Sequence, residues 1–187
     1  MQAQTAVVSA PSLTGRRALA VLLGVALVAI AAQIAIPLPG TPVPLTLQPL
    51  AVLLVGALLG PSLGAGSMIL YLALGAAGLP VFTPYGLPGL ARLVGPTGGY
   101  LLAYPVAAFA VGKIAGDGQR SMRLALAAAA GLVLIHLGGL AQLAILTGSL
   151  SGAARLGTVP FLVGDLVKLA IAVLVLRPTI RPVRARL

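Results

Sequence analysis

Six apolar segments, separated by breaks rich in glycine and proline, fill most of this 187-residue sequence. Hydrophobic residues make up 59% of the chain and charged residues only 7%, which leaves too little polar side chain to cover a water-soluble globule. A transmembrane helix needs about 20 apolar residues, and fewer when neighbouring helices shield it. The pattern predicts an all-α membrane protein, a compact six-transmembrane-helix bundle forming a single domain over 1–187, with spans at 18–36, 48–59, 63–79, 98–114, 124–147 and 160–176.

The second and third apolar segments are short for independent membrane spans. A tight turn over 60–64, with the sequence GPSLG, joins them. We therefore expect both helices to pack against their neighbours, because irregular or short elements at membrane depth must be shielded by protein.

The basic residues fall between the apolar segments. With six spans both termini lie on one side, and nine of the 12 lysines and arginines then lie on that side, against only Arg92 and Arg155 on the other. Cytoplasmic loops carry an excess of Lys and Arg, so we expect both termini to be cytoplasmic, with a flexible N-terminal segment 1–16 and a basic tail 178–187. Nucleic-acid binding is not expected, because it needs a basic face in polar surroundings.

Two charges lie three residues apart inside the last span. Asp165 is one of only two acidic residues in the chain, and Lys168 follows at helical spacing on the same face. An ionisable group in hydrocarbon costs about 2.5–3.5 kcal/mol, so such groups usually mark a ligand or ion site. The other interpretation is a structural pair that neutralises itself. We favour the polar site, because a chain so poor in acidic residues has little structural reason to bury one.

Two connecting segments, 37–49 and 80–97, are rich in proline and glycine. The first holds five prolines with Thr41, Thr46 and Gln48, and the second holds Tyr85 and Arg92. This composition favours defined turns. Either segment is an ordinary connection or caps a pocket beside the charged pair.

No catalytic or metal-binding set is visible in the sequence. The chain has no cysteine, which excludes disulfides and zinc–thiolate sites, and no Walker A pattern, so ATP hydrolysis by this chain is not expected. His136 lies within the fifth span without a second histidine or a cysteine nearby, and a hydrogen bond between helices is its expected role. We predict a protein that is not an enzyme and holds no metal or cofactor.

Several motifs, in order along the chain, resemble those of one transporter family. They are 36–48 (IPLPGTPVPLTLQ), 78–82 (GLPVF), 95–100 (GPTGGY) and 164–168 (GDLVK). The resemblance is to the biotin-transport S components, the BioY-type substrate-binding subunits of energy-coupling-factor (ECF) transporters, and it covers about 36–176.

The resemblance implies high-affinity capture of biotin and its uptake across the bacterial cytoplasmic membrane. It implies a biotin pocket that opens outward, a transmembrane coupling subunit and ATPase subunits as partners, and biotin as substrate with no cofactor. The family's ligand residues transfer to Asp165, Lys168 and Arg92. The family also has an asparagine shortly after the Pro-Val-Phe stretch, where this chain has Thr83-Pro84-Tyr85, so Tyr85 is the candidate replacement.

Gln48 and Tyr100 are further candidates for substrate binding. Gln48 opens the second span and Tyr100 opens the fourth. A glutamine at a helix end is also an ordinary solvating group, and a tyrosine there is typical of the interfacial aromatic belt. Both interpretations stay open for each residue.

Small residues line one face of the first span. Ala20, Gly24, Ala31 and Ala35 lie on this face together with Val28. Small residues let helix backbones approach closely in lipid, and the resemblance implies that this face docks on the coupling subunit. Internal packing within the bundle is the alternative.

Two other functions fit the residues. A solitary ion-coupled carrier for a small carboxylate or vitamin would use Asp165 and Lys168 as its ion site, and a non-transporting membrane scaffold would use the pair only to fix helix register. Biotin binding by the isolated chain distinguishes capture from both.

Overall fold

The computed structural model describes residues 12–187. Residues 1–11, most of the predicted flexible N-terminal segment, lie outside the described residues. The helices are α1 (Leu13–Gln33), α2 (Gln48–Leu59), α3 (Pro61–Ala76), α4 (Leu90–Val94), α5 (Gly98–Ala115), α6 (Ser121–Thr147), α7 (Leu150–Gly157) and α8 (Leu162–Arg184). Two short strands, β1 (Ala35–Ile36) and β2 (Leu45–Thr46), pair antiparallel, and a 3-10 turn spans Val159–Phe161. The predicted helical class is confirmed.

Four segments within residues 12–187 are long and apolar enough to cross a membrane. They are α1, α5, α6 and the continuous run Leu150–Arg184, which contains α7 and α8. Helices α2 and α3 are also apolar but have only 12 and 16 residues, or about 18 and 24 Å at 1.5 Å per residue, against a hydrocarbon core of about 30 Å. Length and composition therefore support four crossings, two fewer than predicted.

The long helices run alternately between two ends of the bundle. At the end that we call the cavity end, α2, α5 and α8 begin, and the Gln33 side chain at the end of α1 donates to the Phe82 carbonyl at 3.1 Å. At the opposite end, called the arginine end, Arg17 donates to the Leu187 carbonyl at 3.1 Å, and Arg184 donates to the Gly116 carbonyl at 2.7 Å. The start of α1 thus contacts the residues that follow α8 at the arginine end.

Glycines let the central helices approach closely. A Cβ atom added at Gly56 of α2 would stand 2.8 Å from the Cα of Ala108 on α5, and one at Gly112 would stand 2.6 Å from the Gly56 carbonyl oxygen. No side chain fits at these distances. Close backbone packing of this kind stabilises helix pairs in lipid, where hydrophobic exclusion does not.

The turn between α2 and α3 is tighter than predicted. A single residue, Gly60, separates the helices, with φ of 82°, and α3 begins directly at Pro61. Glycine adopts this backbone region freely, and the fixed φ of proline suits the first position of a helix. The predicted turn over 60–64 is therefore wrong after its first residue.

Helix α8 extends eight residues beyond its predicted end at Leu176. It continues through Pro178 and Pro182 to Arg184, so most of the predicted basic tail 178–187 is helical. Proline removes a backbone donor and usually ends a helix. Here Ile180 is fully buried, and the Thr179 hydroxyl donates to the Val175 carbonyl at 2.6 Å, so tertiary packing and a side-chain bond hold this stretch in the helix.

The small-residue face of α1 lies mostly inside the bundle. A Cβ at Gly24 would stand 2.8 Å from Ser67 Oγ and 3.1 Å from Val55 Cγ1, and Ala31 is 7% exposed. Ala35 lies in β1 and is not part of the helix. Internal packing, the alternative interpretation, describes Ala31, whereas Gly24 packs on Ser67 and Val55 and also lines an open groove with Ala20. The predicted docking face is therefore not a free surface along its length.

Candidate functional site

A cavity lined by apolar side chains and by a few polar and charged ones lies at the cavity end of the bundle. Residues of both proline- and glycine-rich segments form part of its wall, as one interpretation of these segments predicts, and helices α2, α5, α6 and α8 form the rest. The principal lining residues are Val43, Thr46, Gln48, Phe82, Thr83, Arg92, Tyr100, Tyr104, His136, Phe161, Asp165 and Lys168. The segment 37–49 is held in place where the Thr41 hydroxyl donates to the Leu156 carbonyl at 2.6 Å.

Asp165 is the centre of the charged cluster in this cavity. Lys168 Nζ donates to Asp165 Oδ1 at 2.9 Å, and His136 Nε2 lies 2.6 Å from Asp165 Oδ2. Asp165 and Lys168 are 7% and 5% exposed. Asp165 also lies in the first turn of α8, where the helix dipole favours a negative charge. The structural pair interpretation accounts for the Asp165–Lys168 bond but not for its position in a cavity.

The charged cluster keeps unused hydrogen-bonding capacity. A carboxylate has about four lone-pair sites and an ammonium has three donors. Two of the carboxylate sites are occupied, one on each oxygen, and one Lys168 donor is used. The cluster can therefore accept and donate further hydrogen bonds to a bound molecule.

His136 joins α6 to α8 through this cluster. The predicted hydrogen bond between helices is confirmed, but sequence reasoning missed that the same side chain lines the cavity. Donation to an ionised carboxylate requires the proton on Nε2. The other ring nitrogen, Nδ1, is buried and has no partner within residues 12–187. Asp165 and His136 are 29 residues apart on different helices, so no spacing in the sequence signals this contact.

Arg92 lines the cavity but bonds to the neighbouring loop. Its Nη1 donates to Thr83 Oγ1 at 3.0 Å and to the Tyr85 carbonyl, and its Nη2 donates to the Thr83 carbonyl at 2.9 Å. The side chain is 6% exposed, and burial lowers the pKa of its guanidinium below the ordinary value. Gly86, with φ of 96°, leaves room for Nη1. Arg92 thus shapes the cavity wall by holding the loop.

Tyr85 is not among the residues that line the cavity. Its side chain is 47% exposed, while its backbone carbonyl turns inward to accept from Arg92. Thr83, two residues earlier, is at the cavity wall instead. The segment where the resemblance implies an asparagine therefore reaches the cavity through Thr83.

Gln48 is buried in the cavity wall with 3% exposure. Its side-chain Nε2 donates to the Tyr71 hydroxyl at 2.7 Å, and that hydroxyl donates to the Val81 carbonyl at 3.0 Å. The Thr46 hydroxyl lies 3.3 Å from Gln48 Oε1. The residue is thus bonded within the protein and does not solvate a helix end, so that interpretation is wrong.

Tyr100 forms a wall of the cavity beside His136. It is 8% exposed, and its hydroxyl donates to the Gly157 carbonyl at 2.6 Å. Its ring meets the His136 ring edge to face, with centroids 6.1 Å apart. The aromatic belt interpretation is therefore wrong, because the ring is packed inside the protein. Gly139 makes this possible, since a Cβ there would collide with the Tyr100 ring.

No group of three or more metal-ligating side chains occurs among the residues from 12 onwards. The charged cluster contains one carboxylate, one imidazole and one ammonium, and the ammonium cannot bind a metal while protonated. The arrangement is suited to binding a small polar molecule by hydrogen bonds.

The sequence and the fold both match transporters for biotin. The BioY family model matches residues 3–185. The chain is 45% identical to the probable biotin transporter BioY of Pyrococcus horikoshii, over 83% of this chain and 90% of that protein. It is 39% identical to the biotin transporter BioY of Thermotoga maritima, over 80% of this chain and 87% of that protein.

A solved structure gives the same result for the fold. It is the crystal structure of the S-component for biotin from an ECF-type ABC transporter. The two folds superpose with a TM-score of 0.80 at 26% identity, and the match covers 90% of this chain and 94% of the other. A match over nearly the whole chain in sequence and in fold means that the chain belongs to the BioY family.

Proposed function

We propose that this chain is the substrate-binding subunit of an ECF-type transporter and that it captures biotin in the cavity described above. The observation that carries the proposal is the charged cluster of Asp165, Lys168 and His136, buried in a cavity of a BioY-family fold. Buried charges with spare hydrogen-bonding capacity are costly unless a ligand uses them.

Biotin has the chemistry that this cluster can bind. Its ureido ring offers two N–H donors and one carbonyl acceptor, and its side chain ends in a carboxylate. Asp165 can accept from an N–H group, and Lys168 can donate to the carbonyl or the carboxylate. Both are charge-assisted bonds, which are about twice as strong as neutral ones. Val43, Phe82 and Phe161 supply apolar wall for the thioether ring.

The remaining candidate residues differ in how directly they contact biotin in this proposal. Arg92 either turns part of its fork to the carboxylate of biotin or acts only through the loop that it holds. Gln48 and Tyr100 contact the ligand from the wall, while Tyr85 contributes only if the loop moves inward. Each role is testable by substitution, because each of the four side chains can be replaced by a smaller one.

We propose six membrane crossings, in a single membrane domain of the bacterial cytoplasmic membrane with both termini in the cytoplasm. The alternating direction of the helices supports this, and so does the collection of nine basic residues at the arginine end, as the positive-inside rule expects. Helices α2 and α3 cross despite their length because neighbouring helices cover them. The cavity then faces the outside.

Cysteine labelling tests this topology in a chain that has no cysteine. Ser151→Cys and Leu87→Cys, both exposed at the cavity end, should react with an impermeant thiol reagent in whole cells, whereas Asp117→Cys at the arginine end should react only after lysis. The parent chain is the control for background. The reverse labelling pattern would overturn the orientation.

Partner subunits supply the energy in this proposal. A transmembrane coupling subunit would dock on an open groove formed by α1, α2 and the end of α8, where Ala20 and Gly24 line the floor and Leu23 lines one side. Leu23→Trp should leave biotin binding unchanged and reduce co-purification of the coupling and ATPase subunits. Leu22→Trp is the matched control, since Leu22 is similarly exposed at 54% but lies outside the groove. Equal effects of both variants would remove the groove from the proposal.

Titration of the detergent-purified chain with biotin tests the function. A capture subunit should bind about one biotin per chain with no ion gradient present, and lipoic acid, which has the acid chain and a sulfur ring but no urea, should bind far more weakly. Binding that requires protons or sodium would favour the ion-coupled carrier. Absence of binding by a folded chain would leave the scaffold.

A further inference from the structure

We propose that His136 is a positioning residue for the biotin site: it fixes the plane of the Asp165 carboxylate so that the carboxylate meets the ligand in one orientation. This inference rests on the proposed function and adds to it a residue outside the predicted ligand set. His136 lies on α6 and Asp165 on α8, so the contact also joins two helices of the cavity wall.

The carboxylate of an aspartate rotates easily about its terminal bond. The terminal torsion of Asp, between an sp³ and an sp² carbon, is broad, so one hydrogen bond leaves the carboxylate free to rotate. Lys168 holds only Oδ1, at 2.9 Å, and does so from the same helix. His136 holds Oδ2 at 2.6 Å from a different helix. Bonds to both oxygens from two helices define the carboxylate plane.

The imidazole ring itself is held in place by its neighbours. The Tyr100 ring packs edge to face against it with centroids 6.1 Å apart, and the Phe161 ring lies beside it, tilted by 41°, with centroids 6.4 Å apart. Tyr100 is in turn fixed by its bond to the Gly157 carbonyl at 2.6 Å. His136 can therefore act as a rigid anchor.

The contact leaves the carboxylate available to a ligand. Each oxygen accepts one bond from the protein and keeps about one free lone pair. His136 thus occupies one site on Asp165 and orients the others. The ligand pays less entropy on binding when such a group is already oriented.

Two substitutions separate positioning from packing. In His136→Gln the amide nitrogen can replace Nε2 as a donor to Asp165, and in His136→Leu a side chain of similar bulk has no donor. We expect His136→Gln to bind biotin within about threefold of the parent, and His136→Leu to bind about tenfold more weakly or worse, as loss of a charge-assisted bond predicts. Melting temperatures of both variants report whether they are folded.

The effect of His136→Leu on biotin affinity in the Asp165→Asn variant distinguishes positioning of the carboxylate from a purely structural role. If His136 acts through the carboxylate, adding His136→Leu to Asp165→Asn should weaken biotin binding by less than about threefold further, because the charge-assisted bond is already lost. Equal penalties in the two backgrounds would overturn the proposal, as would unchanged affinity in His136→Leu or equal loss in His136→Gln and His136→Leu.

Failure of this inference is distinguishable from failure of the proposed function. The parent chain and Asp165→Asn are titrated in the same series. If the parent binds biotin and Asp165→Asn binds it measurably more weakly, the biotin site stands, and only the His136 variants decide its positioning. If the parent does not bind biotin, the proposed function fails first.

Discussion

Charged side chains gather at both ends of the bundle, and the two groups find their partners differently. At the arginine end, Arg184 donates to the Ala57 carbonyl at 2.6 and 3.0 Å, to the Gly112 carbonyl at 3.0 Å and to the Gly116 carbonyl at 2.7 Å. At the cavity end, Asp165, Lys168 and His136 bond to one another through side-chain atoms. Arg184 thus bonds to backbone carbonyls, whereas the cavity cluster bonds through its own side chains.

The difference separates a cluster that caps helix ends from a cluster with spare hydrogen-bonding capacity. The last carbonyls of a helix have no partner within it and carry partial negative charge, and Arg184 uses four N–H···O bonds to cap the ends of α2 and α5. Little of its donor capacity remains. The cavity cluster keeps spare donors and acceptors, so it can bind a ligand without breaking the fold.

Arg92 has features of both groups. It lines the cavity, yet its terminal nitrogens bond to the carbonyls of Thr83 and Tyr85 as Arg184 bonds to helix ends. The comparison therefore predicts a smaller role for Arg92 in ligand binding than for Asp165.

Asp165→Asn should have the largest effect. It removes the anion but keeps the shape, and a charge-assisted bond is worth about 1.5–3 kcal/mol, so biotin should bind roughly 10–150-fold more weakly. Isothermal titration of the purified chain measures this. The matched control is Asp117→Asn, which changes the only other acidic residue, exposed at the arginine end. An affinity within twofold of the parent in a folded Asp165→Asn chain would mean that Asp165 forms only a structural pair with Lys168.

Arg184→Met should lower stability and leave binding unchanged. Loss of the carbonyl caps should cost about 1–2 kcal/mol, after allowing for the partial exposure of this arginine. Thermal unfolding in detergent measures the loss, and the Kd for biotin should stay within twofold of the parent. The exposed Arg177→Met is the control for removal of one charge. Weaker biotin binding with unchanged stability would mean that Arg184 affects the ligand site and not the stability of the fold.

Arg92→Lys should weaken biotin binding by about three- to tenfold. Lysine keeps the charge but loses the planar fork that bonds to the loop. The exposed Arg155→Lys should change nothing. A loss above roughly a hundredfold, which exceeds one ordinary hydrogen bond, would mean that Arg92 contacts the ligand directly.

Tyr85→Ala should have the smallest effect, below about twofold, because its side chain lies outside the cavity lining. Thr83→Val, in the same loop, should cost more because Thr83 is at the cavity wall and bonds to Arg92. Competition with labelled biotin resolves both values. A larger loss in Tyr85→Ala than in Thr83→Val would restore Tyr85 as the replacement for the family's asparagine.

Apolar segments and their breaks predicted most of the fold. Helix α2 has its predicted bounds, and α5 and α6 differ from theirs by three residues or fewer. Helices α4 and α7 were not predicted, since five and eight residues in mixed segments carry little periodicity. The end of α8 was missed because Pro178 and Pro182 normally stop a helix, and the tertiary contacts of Ile180 and Arg184 with the side-chain bond of Thr179 override them.

Different signals predicted different residues of the candidate site, and Arg92, distant in sequence from Asp165, was predicted only from the family resemblance. Asp165 and Lys168 were found from their i, i+3 spacing inside an apolar run. His136 was missed as a cavity residue because its contact with Asp165 depends on how α6 packs on α8. The α1 face was ambiguous for a similar reason, since small residues permit close packing whether the partner is internal or another subunit.

A structure of the chain with biotin bound would show whether the charged cluster is the biotin site. We expect biotin in the cavity, with one of its nitrogen or oxygen atoms within hydrogen-bond distance, about 3.2 Å or less, of an Asp165 carboxylate oxygen. The bond from His136 to that carboxylate should remain. Biotin bound elsewhere, or in the cavity with Asp165 bonded only to Lys168 and His136, would mean that the charged cluster is not the biotin site.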